Sequence, residues 1–425
     1  MSYNVAIDGL AASERIRSVL APVVTPFRAD LAPDSRRLIA HCKWLLSQNC
    51  GLAVFGTNSE ANSLSMEERT MLLDGLVATG VDPSRMMPGT GCCSIMETVR
   101  LTAQAVEHGC AGVLMLPPFY YKDVTEEGLY RYFSEVVQRV GDARLKIYLY
   151  HIPPVAVVGI TTGLVERLLA AYPDAIAGMK DSSGDWNNTK TFLDAFAVRA
   201  GRAVSTAGAA RTFDVFVGSE SFLLANMRNG GVGTISATAN VNPAAIHELY
   251  QNALGTSAST PAELEALQTR LNVVRELFSN RKFPSMIAAL KQAIAIYTDD
   301  PAWVRVRPPL VELTKEQAKM LAAELRAIGF RWQKEEVRMQ KEENDLAVRT
   351  KNFALQIIRL FPKLPRTTEA EVLGKQLLRA ATFVGANYRE ACRGRSKPEF
   401  IAKCGDSSAS WRRPVTGWNS SAKLA

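Results

Sequence analysis

The chain has 425 residues, 47% of them hydrophobic and 22% charged, which is typical of a folded globular protein with room for more than one core. No apolar run of about eighteen residues occurs, and acidic residues interrupt the N-terminal stretch, so we expect neither a membrane-spanning nor a secreted protein. The seven cysteines are an odd number without a C-x-x-C pair, which predicts free thiols in a reducing cytoplasm.

The net charge of +8 lies entirely in the last part of the chain. From Gln333 onward there are 18 Lys+Arg and 10 Asp+Glu, which leaves 32 of each before it. This asymmetry predicts two units with different partners. We place the first domain at 1–332, a charged linker at 333–343 and a second domain at 344–404, followed by an aberrant or disordered tail at 405–425.

Short apolar runs alternate with amphipathic stretches through the first unit. Most runs are followed by polar or glycine-rich residues and then by helical periodicity, as buried parallel strands require. The eight runs are 20–27, 51–55, 85–88, 112–116, 146–150, 175–179, 214–217 and 233–237. Eight strand–helix repeats in about 250 residues predict an α/β fold, the TIM (β/α)8 barrel. A doubly wound sheet is the alternative, but Gly89 and Gly91 match its G-x-G-x-x-G turn only in part.

Helix starts are marked after several of these runs. Ser65 and Ser94 each precede a glutamate by three residues, as in capping boxes, and Asn242-Pro243 predicts an N-cap followed by proline. Beyond the eighth run, 261–296 and 314–328 have helical spacing without further strands. We therefore predict a C-terminal helical extension that covers one end of the barrel or packs in a subunit interface.

Lys180 is the strongest single indication of chemistry, because it ends an otherwise apolar run. In a barrel of this type catalytic residues lie at the C-terminal ends of the strands. Such an end is dry on most sides, and desolvation favours a neutral amine that can attack a carbonyl. Tyr150 ends the neighbouring run and could supply the proton shuttle that Schiff-base chemistry needs. The alternative is a lysine that reaches solvent or pairs with Asp181.

Other candidate residues carry less information. No pair of the four histidines has metal-ligand spacing, so we predict no metal site. His151 lies on a barrel strand and could line the pocket. Cys92 and Cys93 could contact the substrate, but we predict instead that they are buried small apolar residues.

Five motifs connect the first unit to a known family. They are Ala21-Pro-Val-Val-Thr-Pro-Phe27, Gly56-Thr57-x-x-Glu60, Tyr150-x-x-Pro153, Gly178-x-Lys180 and Thr238-Ala-Asn240. In order and spacing, residues 18–330 resemble the dihydrodipicolinate synthase / N-acetylneuraminate lyase family.

The resemblance implies a class I aldolase-type mechanism without a cofactor, in which Lys180 forms a covalent imine with a 2-keto acid such as pyruvate. Tyr150 would relay protons, and Thr57 would hold that tyrosine in a hydrogen-bonded relay. Tyr120 would reach the site of a neighbouring subunit, which implies a homo-oligomer, either a dimer or a tetramer. Tyr121 is the alternative to Tyr120.

By the same resemblance, the substrate-binding residues would be Gly56, Asn58, Val155, Glu220 and Ile235. Backbone N–H groups of the Gly56 loop would hold the keto acid's carboxylate, with the Asn58 amide in place of the family's second hydroxyl. Val155 stands where the synthases carry an arginine that grips the carboxylate of the second substrate. Glu220 would contact hydroxyls of a sugar acceptor, or else be a solvated loop carboxylate.

We therefore predict a cytoplasmic Schiff-base lyase, similar to 4-hydroxy-tetrahydrodipicolinate synthase. Its substrates would be a 2-keto acid and an aldehyde or sugar acid. Val155 favours, as the first alternative, a 2-keto-3-deoxy sugar acid aldolase or dehydratase. The alternative from another class is a non-catalytic interaction protein that works through its helical tail.

The tail has its own resemblance. Residues 344–404, and 385–397 above all, resemble the four-helix bundle proteins first recognised in intervening sequences of bacterial ribosomal RNA genes, which form oligomers and imply no catalytic residues. The amphipathic pattern predicts a partial bundle with a helix capped by Thr368. The basic residues Arg389, Arg393, Arg395 and Lys397 could bind RNA phosphates, although a solvated helix face is the commoner explanation and RNA binding is not favoured.

The last residues, SSASWRRPVTGWNSSAKLA, break the amphipathic pattern. With some of the codons that encode these residues, a reading frame shifted by one base encodes helix-forming segments rich in leucine and glutamate. Our hypothesis is a frameshift that replaced the end of the bundle, and the nucleotide sequence would decide it.

Overall fold

The computed structural model describes residues 15–196, 213–255, 259–279 and 282–332, and parts of 357–379. The chain divides into two compact units, 1–333 and 334–425. The charged linker predicted at 333–343 begins at this division but lies outside the described residues, as do most of the predicted bundle and the segment 405–425.

A parallel sheet forms the centre of the first unit. Its strands are β1 (Val19–Ala21), β2 (Gly51–Leu52), β3 (Val113–Met115), β4 (Ile147–His151), β5 (Ile176–Asp181), β6 (Asp214–Val217) and β7 (Gly233–Ile235). They follow one another in the order β2-β1-β7-β6-β5-β4-β3, so β2 and β3 are the two edges.

An extended segment closes the sheet between these two edges. In the segment 86–89, Met86 bridges Leu52 of β2 and Gly89 bridges Leu114 of β3, both in parallel. The N–H of Met87 donates to the carbonyl of Leu52 at 2.8 Å. Seven strands and this segment therefore make the eight positions of a closed barrel, and the predicted TIM-barrel fold is confirmed.

The observed strands differ from the predicted runs mainly at their ends. The run 85–88 makes only isolated bridges, although its backbone hydrogen bonds continue on both sides, from the N–H of Gly89 to the carbonyl of Val54 at 2.7 Å and from the N–H of Leu114 to the carbonyl of Pro88 at 2.8 Å. β1, β2 and β7 stop before their apolar runs end, since the chain turns out of the sheet while its side chains stay in the core. β5 extends to Asp181, beyond the predicted 179. Apolar character thus indicates burial better than it indicates strand pairing.

Helices surround the barrel and continue beyond it. They are α1 (Ser35–Ser47), α2 (Met66–Ala78), α3 (Ile95–Glu107), α4 (Glu126–Val140), α5 (Pro153–Ala156), α6 (Thr162–Ala171), α7 (Trp186–Phe196), α8 (Leu223–Arg228), α9 (Pro243–Ala253), α10 (Pro261–Ser279), α11 (Met286–Thr298) and α12 (Lys315–Ala327). Of the helices in the described ranges, none is both long and apolar enough to cross a bilayer.

The predicted helix starts are right in position, but not all of them are capped as predicted. Ser65 forms the complete capping box with Glu68. Ser94 accepts from the N–H of Glu97. Asn242 occupies the N-cap position before Pro243, yet its side chain makes no capping hydrogen bond. The predicted N-cap at Asn242 and proline at the first helical position are therefore confirmed, although the amide adds no capping bond.

The lumen of the barrel and its outer layer are separate apolar clusters. Successive residues of a strand point to opposite faces, so one set of side chains fills the lumen and the other packs against the helices. The lumen set includes Leu20, Ala53, Met87, Leu114, Tyr148, Tyr150, Ala177, Phe216 and Ile235. The outer set includes Val19, Leu149, Met179 and Val215.

The C-terminal extension covers the carboxyl ends of two strands. Val24, which follows β1, and Ala237, which follows β7, share a buried cluster with Leu290 and Ile294 of α11. Of the two placements predicted for the extension, the structure shows the one over the barrel end.

Stacked aromatic rings fix the end of this extension. The ring of Trp332 stacks on Trp44 of α1 with centroids 4.4 Å apart, and on Tyr297 of α11 at 5.7 Å. The ring of His41 also stacks on Trp44, with centroids 5.4 Å apart. The last described residue of the first unit is thus held against two helices.

In the second unit, residues 370–379 are helical. Thr367 Oγ1 accepts from the N–H of Ala370 at 3.2 Å, so the cap lies one residue before the predicted Thr368. The capping-box pattern favoured Thr368, which has a glutamate three residues later, but the hydrogen bond is made by the threonine before it.

The aromatic stack gives a test of the unit boundary. A chain ending at Gln333 keeps Trp332, whereas a chain ending at Phe330 loses it. We expect the shorter chain to be less stable by about 1–3 kcal/mol, because it loses buried ring area and two ring pairs. Urea unfolding of the two truncations measures the difference. Equal unfolding midpoints would mean that the stack does not hold the end of the unit.

Candidate active site at the carboxyl ends of the strands

Lys180 and Tyr150 lie side by side in the lumen. They are register partners on the neighbouring strands β5 and β4. The Nζ atom of Lys180 lies 4.3 Å from the centroid of the Tyr150 ring. Each residue is only 4% exposed. The two residue types that Schiff-base chemistry needs are therefore adjacent and shielded from bulk water.

The alternative interpretations of Lys180 do not fit this geometry. Its burial means that it does not reach solvent. The carboxylate of Asp181 faces the outer layer, where it accepts from Thr189 Oγ1 at 2.5 Å and from the N–H of Ser183 at 2.8 Å. Because neighbouring strand residues point to opposite faces, Lys180 and Asp181 do not pair.

Gly178 explains the spacing of the Gly178-x-Lys180 motif. A Cβ atom at this position would lie 2.2 Å from the backbone oxygen of Asp214 on β6. The position therefore admits only glycine without moving a strand. This close approach lets the backbones of β5 and β6 pair along their length, which includes Lys180 and its register partner Phe216.

Thr57 reaches Tyr150 from the loop after β2. Thr57 Oγ1 lies 3.2 Å from Tyr150 Oη, and either hydroxyl can donate. Thr57 begins a 3₁₀ turn that ends at Ser59. The Ser59 carbonyl accepts from Thr25 Oγ1 at 2.7 Å, which fixes the turn to the loop after β1. The structure thus brings together Lys180, Tyr150 and Thr57.

The predicted carboxylate loop stands beside this group. Gly56 and Asn58 flank Thr57, and both are partly buried. The Gly56 N–H donates to Ser59 Oγ at 3.3 Å. Ile235 is fully buried in the lumen cluster with Tyr150.

Glu220 is not part of this group. Ser236 and Thr238 both donate hydroxyl hydrogen bonds to its carboxylate, and Arg275 lies 3.7 Å from it. Glu220 is 1% exposed, so the expected solvated loop carboxylate is wrong. Because Ser236 follows the lumen residue Ile235 and points to the opposite face, the carboxylate lies in the outer layer and not at the lumen.

Val155, Tyr120 and Tyr121 lie at the surface around the barrel mouth. Val155 is 60% exposed on α5, and the two tyrosines are 73% and 74% exposed. Lys122 Nζ donates to the carbonyls of Phe119 and Ala156, which ties the tyrosine loop to α5. In the single chain, neither tyrosine packs into the lumen.

Two secondary expectations are corrected. His151 Nδ1 accepts from the N–H of Ile160 at 2.9 Å, so this side chain faces the outer layer and does not line the pocket. Its burial lowers the pKa of the imidazole. Cys93 is exposed and Cys92 is only partly buried, with Arg69 donating to its Sγ at 3.3 Å. Neither cysteine is the buried apolar residue that we predicted.

Asn240 accounts for the Thr238-Ala-Asn240 motif. Its Oδ1 accepts from the N–H of Val24 at 3.0 Å. Its Nδ2 donates to the carbonyls of Pro22 at 3.0 Å and Ala237 at 2.9 Å. One amide thus joins the loops after β1 and β7, and its contribution is structural.

Sequence reasoning missed a buried charged cluster behind the Thr57 turn. Lys291 of α11 donates to Glu60 and to the carbonyl of Arg305, the latter at 2.7 Å. The N–H of Arg307 donates to the other oxygen of Glu60 at 2.9 Å. The available signal was a single lysine inside the apolar stretch 286–297, since a lysine on a buried helix face needs an anionic partner.

Comparisons with known proteins agree with this geometry. The model of the dihydrodipicolinate synthetase family matches residues 15–328. A lyase named DapA-like from Chloroflexus aurantiacus is 30% identical over 310 residues, which are 72% of this chain and 95% of that protein. The 4-hydroxy-tetrahydrodipicolinate synthase of Thermus thermophilus is 35% identical over 250 residues, 58% of this chain and 77% of the relative.

A solved structure is similar over the same region. The crystal structure of dihydrodipicolinate synthase from Agrobacterium tumefaciens has a TM-score of 0.63 and 30% identity, and the match covers 74% of this chain and all of the other. The model of the 23S rRNA-intervening sequence protein family matches residues 342–413, nine residues beyond the predicted 404.

These findings define the first unit as a barrel lyase with a lysine in its lumen. The chain belongs to the dihydrodipicolinate synthetase family, with a segment of the rRNA-intervening sequence type after it. Both predicted resemblances are confirmed.

Replacing Gly178 tests the packing beneath Lys180. We expect Gly178→Ala to lower the free energy of unfolding by at least about 1–3 kcal/mol, because the new methyl group meets backbone and not a flexible side chain. Gly75→Ala in α2 is the matched control, since a Cβ there meets nothing within 4 Å. That variant should gain about 1 kcal/mol from helix propensity. Urea unfolding compares the two, and a stable Gly178→Ala would contradict the explanation of the motif.

Proposed function

We propose that this lyase makes or breaks a bond next to the keto carbon of a 2-keto acid through an imine at Lys180. The observation that carries the proposal is the buried Lys180 amine beside Tyr150, whose hydroxyl is hydrogen-bonded to Thr57. Pyruvate is the simplest such acid. No bound cofactor is required, because the protonated imine is itself the electron sink.

The proposed reaction forms an imine at Lys180, makes the carbon-carbon bond and releases the product by hydrolysis. The neutral Lys180 amine attacks the keto carbon, and the carbinolamine loses water to give a protonated imine. Loss of a proton from the adjacent carbon gives an enamine. Its carbon bonds to the carbonyl carbon of an aldehyde, and the aldehyde oxygen takes up a proton through the Tyr150 relay to become a hydroxyl, which regenerates the protonated imine. Water then hydrolyses the imine, which frees the product and the lysine. The reverse sequence cleaves the same bond.

Tyr150 and Thr57 would move the protons. The carbinolamine must gain a proton as its oxygen leaves as water, and a phenol beside the amine can give and recover it. Thr57 orients that phenol through the 3.2 Å contact. Backbone N–H groups of the Gly56 loop, with Asn58, would hold the keto acid's carboxylate, and Ile235 would pack against the substrate in the lumen.

The second substrate would be an aldehyde or a sugar acid. Val155 stands at the mouth where a guanidinium would grip a second carboxylate, so condensation with an acidic semialdehyde, as in 4-hydroxy-tetrahydrodipicolinate synthase, lacks that contact. A 2-keto-3-deoxy sugar acid is therefore the second candidate. Glu220, which is bonded to Ser236 and Thr238, is not proposed as a substrate contact.

A homo-oligomer, either a dimer or a tetramer, would complete the relay. The exposed rings of Tyr120 and Tyr121 are available for contact with a neighbouring subunit. Tyr120 is the residue that we propose for the neighbour's proton relay, and Tyr121 is its alternative. The cytoplasmic location stays a prediction, as does RNA binding by the tail, which is not favoured.

Reductive trapping tests the central step. Borohydride with pyruvate should link the acid covalently to Lys180, and Lys180→Ala should abolish the adduct. Tyr150→Phe should still bind pyruvate but form the adduct about 10²–10⁴-fold more slowly, because it lacks the acid that expels water. Mass spectrometry of the digested protein locates the adduct.

Lys122→Met is the matched control for loss of a lysine near the mouth. It should keep trapping at Lys180, because this ammonium only holds two backbone carbonyls. An adduct that persists in Lys180→Ala, or no adduct with any short 2-keto acid, would make the non-catalytic alternative the better one.

Val155→Arg tests the choice of the second substrate. The new guanidinium should raise kcat/KM for aspartate semialdehyde relative to an uncharged aldehyde, by roughly tenfold for each 1.4 kcal/mol of new carboxylate contact. Val157→Arg, at a neighbouring exposed valine, is the position control. If the unmodified chain already prefers the acidic semialdehyde, the inference from Val155 is wrong.

A further inference from the structure

An ion pair is buried directly behind the Thr57 turn. The side chains of Lys291 and Glu60 both have an exposure of 0%. The ring of Phe27 covers the ammonium, with Nζ 4.5 Å from the ring centroid. Two charges are retained in such a place only when they are paired and hydrogen-bonded.

Glu60 holds a backbone conformation that needs support. Its φ is +55°, in the left-handed region that residues other than glycine rarely adopt. It is the C-terminal cap of the Thr57–Ser59 turn, and its N–H donates to the Thr57 carbonyl at 3.1 Å. A conformation of this kind persists only when surrounding contacts fix it. Residues with such conformations cluster at functional sites.

Two contacts from the C-terminal extension fix the carboxylate of Glu60, and a third fixes the lysine that makes one of them. Lys291 donates to one carboxylate oxygen, and the N–H of Arg307 donates to the other at 2.9 Å. Lys291 also donates to the Arg305 carbonyl at 2.7 Å, which fixes the ammonium itself. The path from the extension to the lumen therefore runs from Lys291 to Glu60, along the turn to Thr57, and by hydrogen bond to Tyr150.

We propose that Lys291 is a positioning residue, whose positive charge holds Glu60 and through it the turn that places Thr57 against Tyr150. This inference rests on the proposed function, in which Tyr150 relays protons. It assigns to the C-terminal extension a part in the chemistry beyond covering the barrel end.

The charge on Lys291 responds to pH in an accessible range. The charged groups that face it are Glu60, Arg307 and Glu312, and Arg307 is itself paired with Glu68 at 2.5 Å. Burial lowers the pKa of Lys291 to about 8, against the opposing effect of Glu60 and Glu312. The charge is therefore present below this pH and is lost as the pH rises through it. We expect the rate of imine formation to fall with that loss.

The first experiment removes the pair as a unit. Lys291→Met alone would leave the Glu60 carboxylate buried without the ammonium. The variant to be tested therefore combines Glu60→Gln with Lys291→Met in the full-length chain. We expect imine formation with pyruvate, trapped by borohydride at pH 7, to slow by about 10–100-fold, as for a misplaced catalytic group. Lys282→Met, which removes an exposed lysine of the same extension, should match the unmodified chain.

A double-mutant cycle separates positioning from general damage. In a Tyr150→Phe background the Glu60→Gln/Lys291→Met pair should slow trapping no further, because the group it positions is already missing. An equal further loss in that background would overturn the inference, as would a folded pair variant with the unmodified rate.

The dependence of the rate of imine formation on pH gives an independent test, in which the Lys291–Glu60 ion pair does not have to be removed. Lys291→Arg keeps its charge at high pH, so the alkaline fall in the rate should move upward. Glu312→Gln, an exposed change, should move the fall to lower pH, because it removes an anion that favours the charged lysine. If neither variant moves the fall, Lys291 does not act as proposed. If the unmodified chain forms no adduct at Lys180, the proposed function fails and this inference with it.

Discussion

One extra residue in β5 decides which face Lys180 occupies. Ile147 partners Ile176, but Tyr148 partners Gly178, so Ala177 has no partner on β4. Ile176 packs in the outer layer, and strict alternation from it would turn residue 180 outward as well. The bulge reverses the alternation, and Tyr150 and Lys180 then meet in the lumen.

The same bulge depends on contacts outside the lumen. Gly178 follows it, and the backbone of β6 lies where a side chain would be. Asp181 fixes the far end of β5 to α7 through Thr189. The loops around the mouth are joined in a similar way. Asn240 uses both polar atoms of its side chain to bond the loop after β1, and Glu60 uses its two carboxylate oxygens to bond α11 and the backbone of Arg307. The polar groups that orient the site therefore lie mainly behind it, where water does not compete.

This arrangement explains what the sequence could predict. Apolar runs and helix caps predicted the barrel, because burial and capping are local properties. The five motifs predicted the residues that meet in the lumen, but not the reason for their spacing. The pair of Lys291 with Glu60 joins positions 231 residues apart, and Glu220 bonds hydroxyls of the loop after β7. Such contacts depend on register and on which face a residue occupies, which a single sequence does not specify.

The lumen and the mouth of the barrel are under different constraints. Lys180, Tyr150 and Ile235 are fixed by strand register and by close packing, so a change at any of them disturbs several neighbours. Val155, Tyr120 and Tyr121 are largely exposed, and a change there leaves the barrel core intact. In the proposed function, the imine forms at the fixed residues of the lumen, and the second substrate is selected by exposed residues at the mouth, which can change without repacking the barrel. Within that proposal, the valine at position 155 separates this chain from a synthase that grips a second carboxylate with a guanidinium.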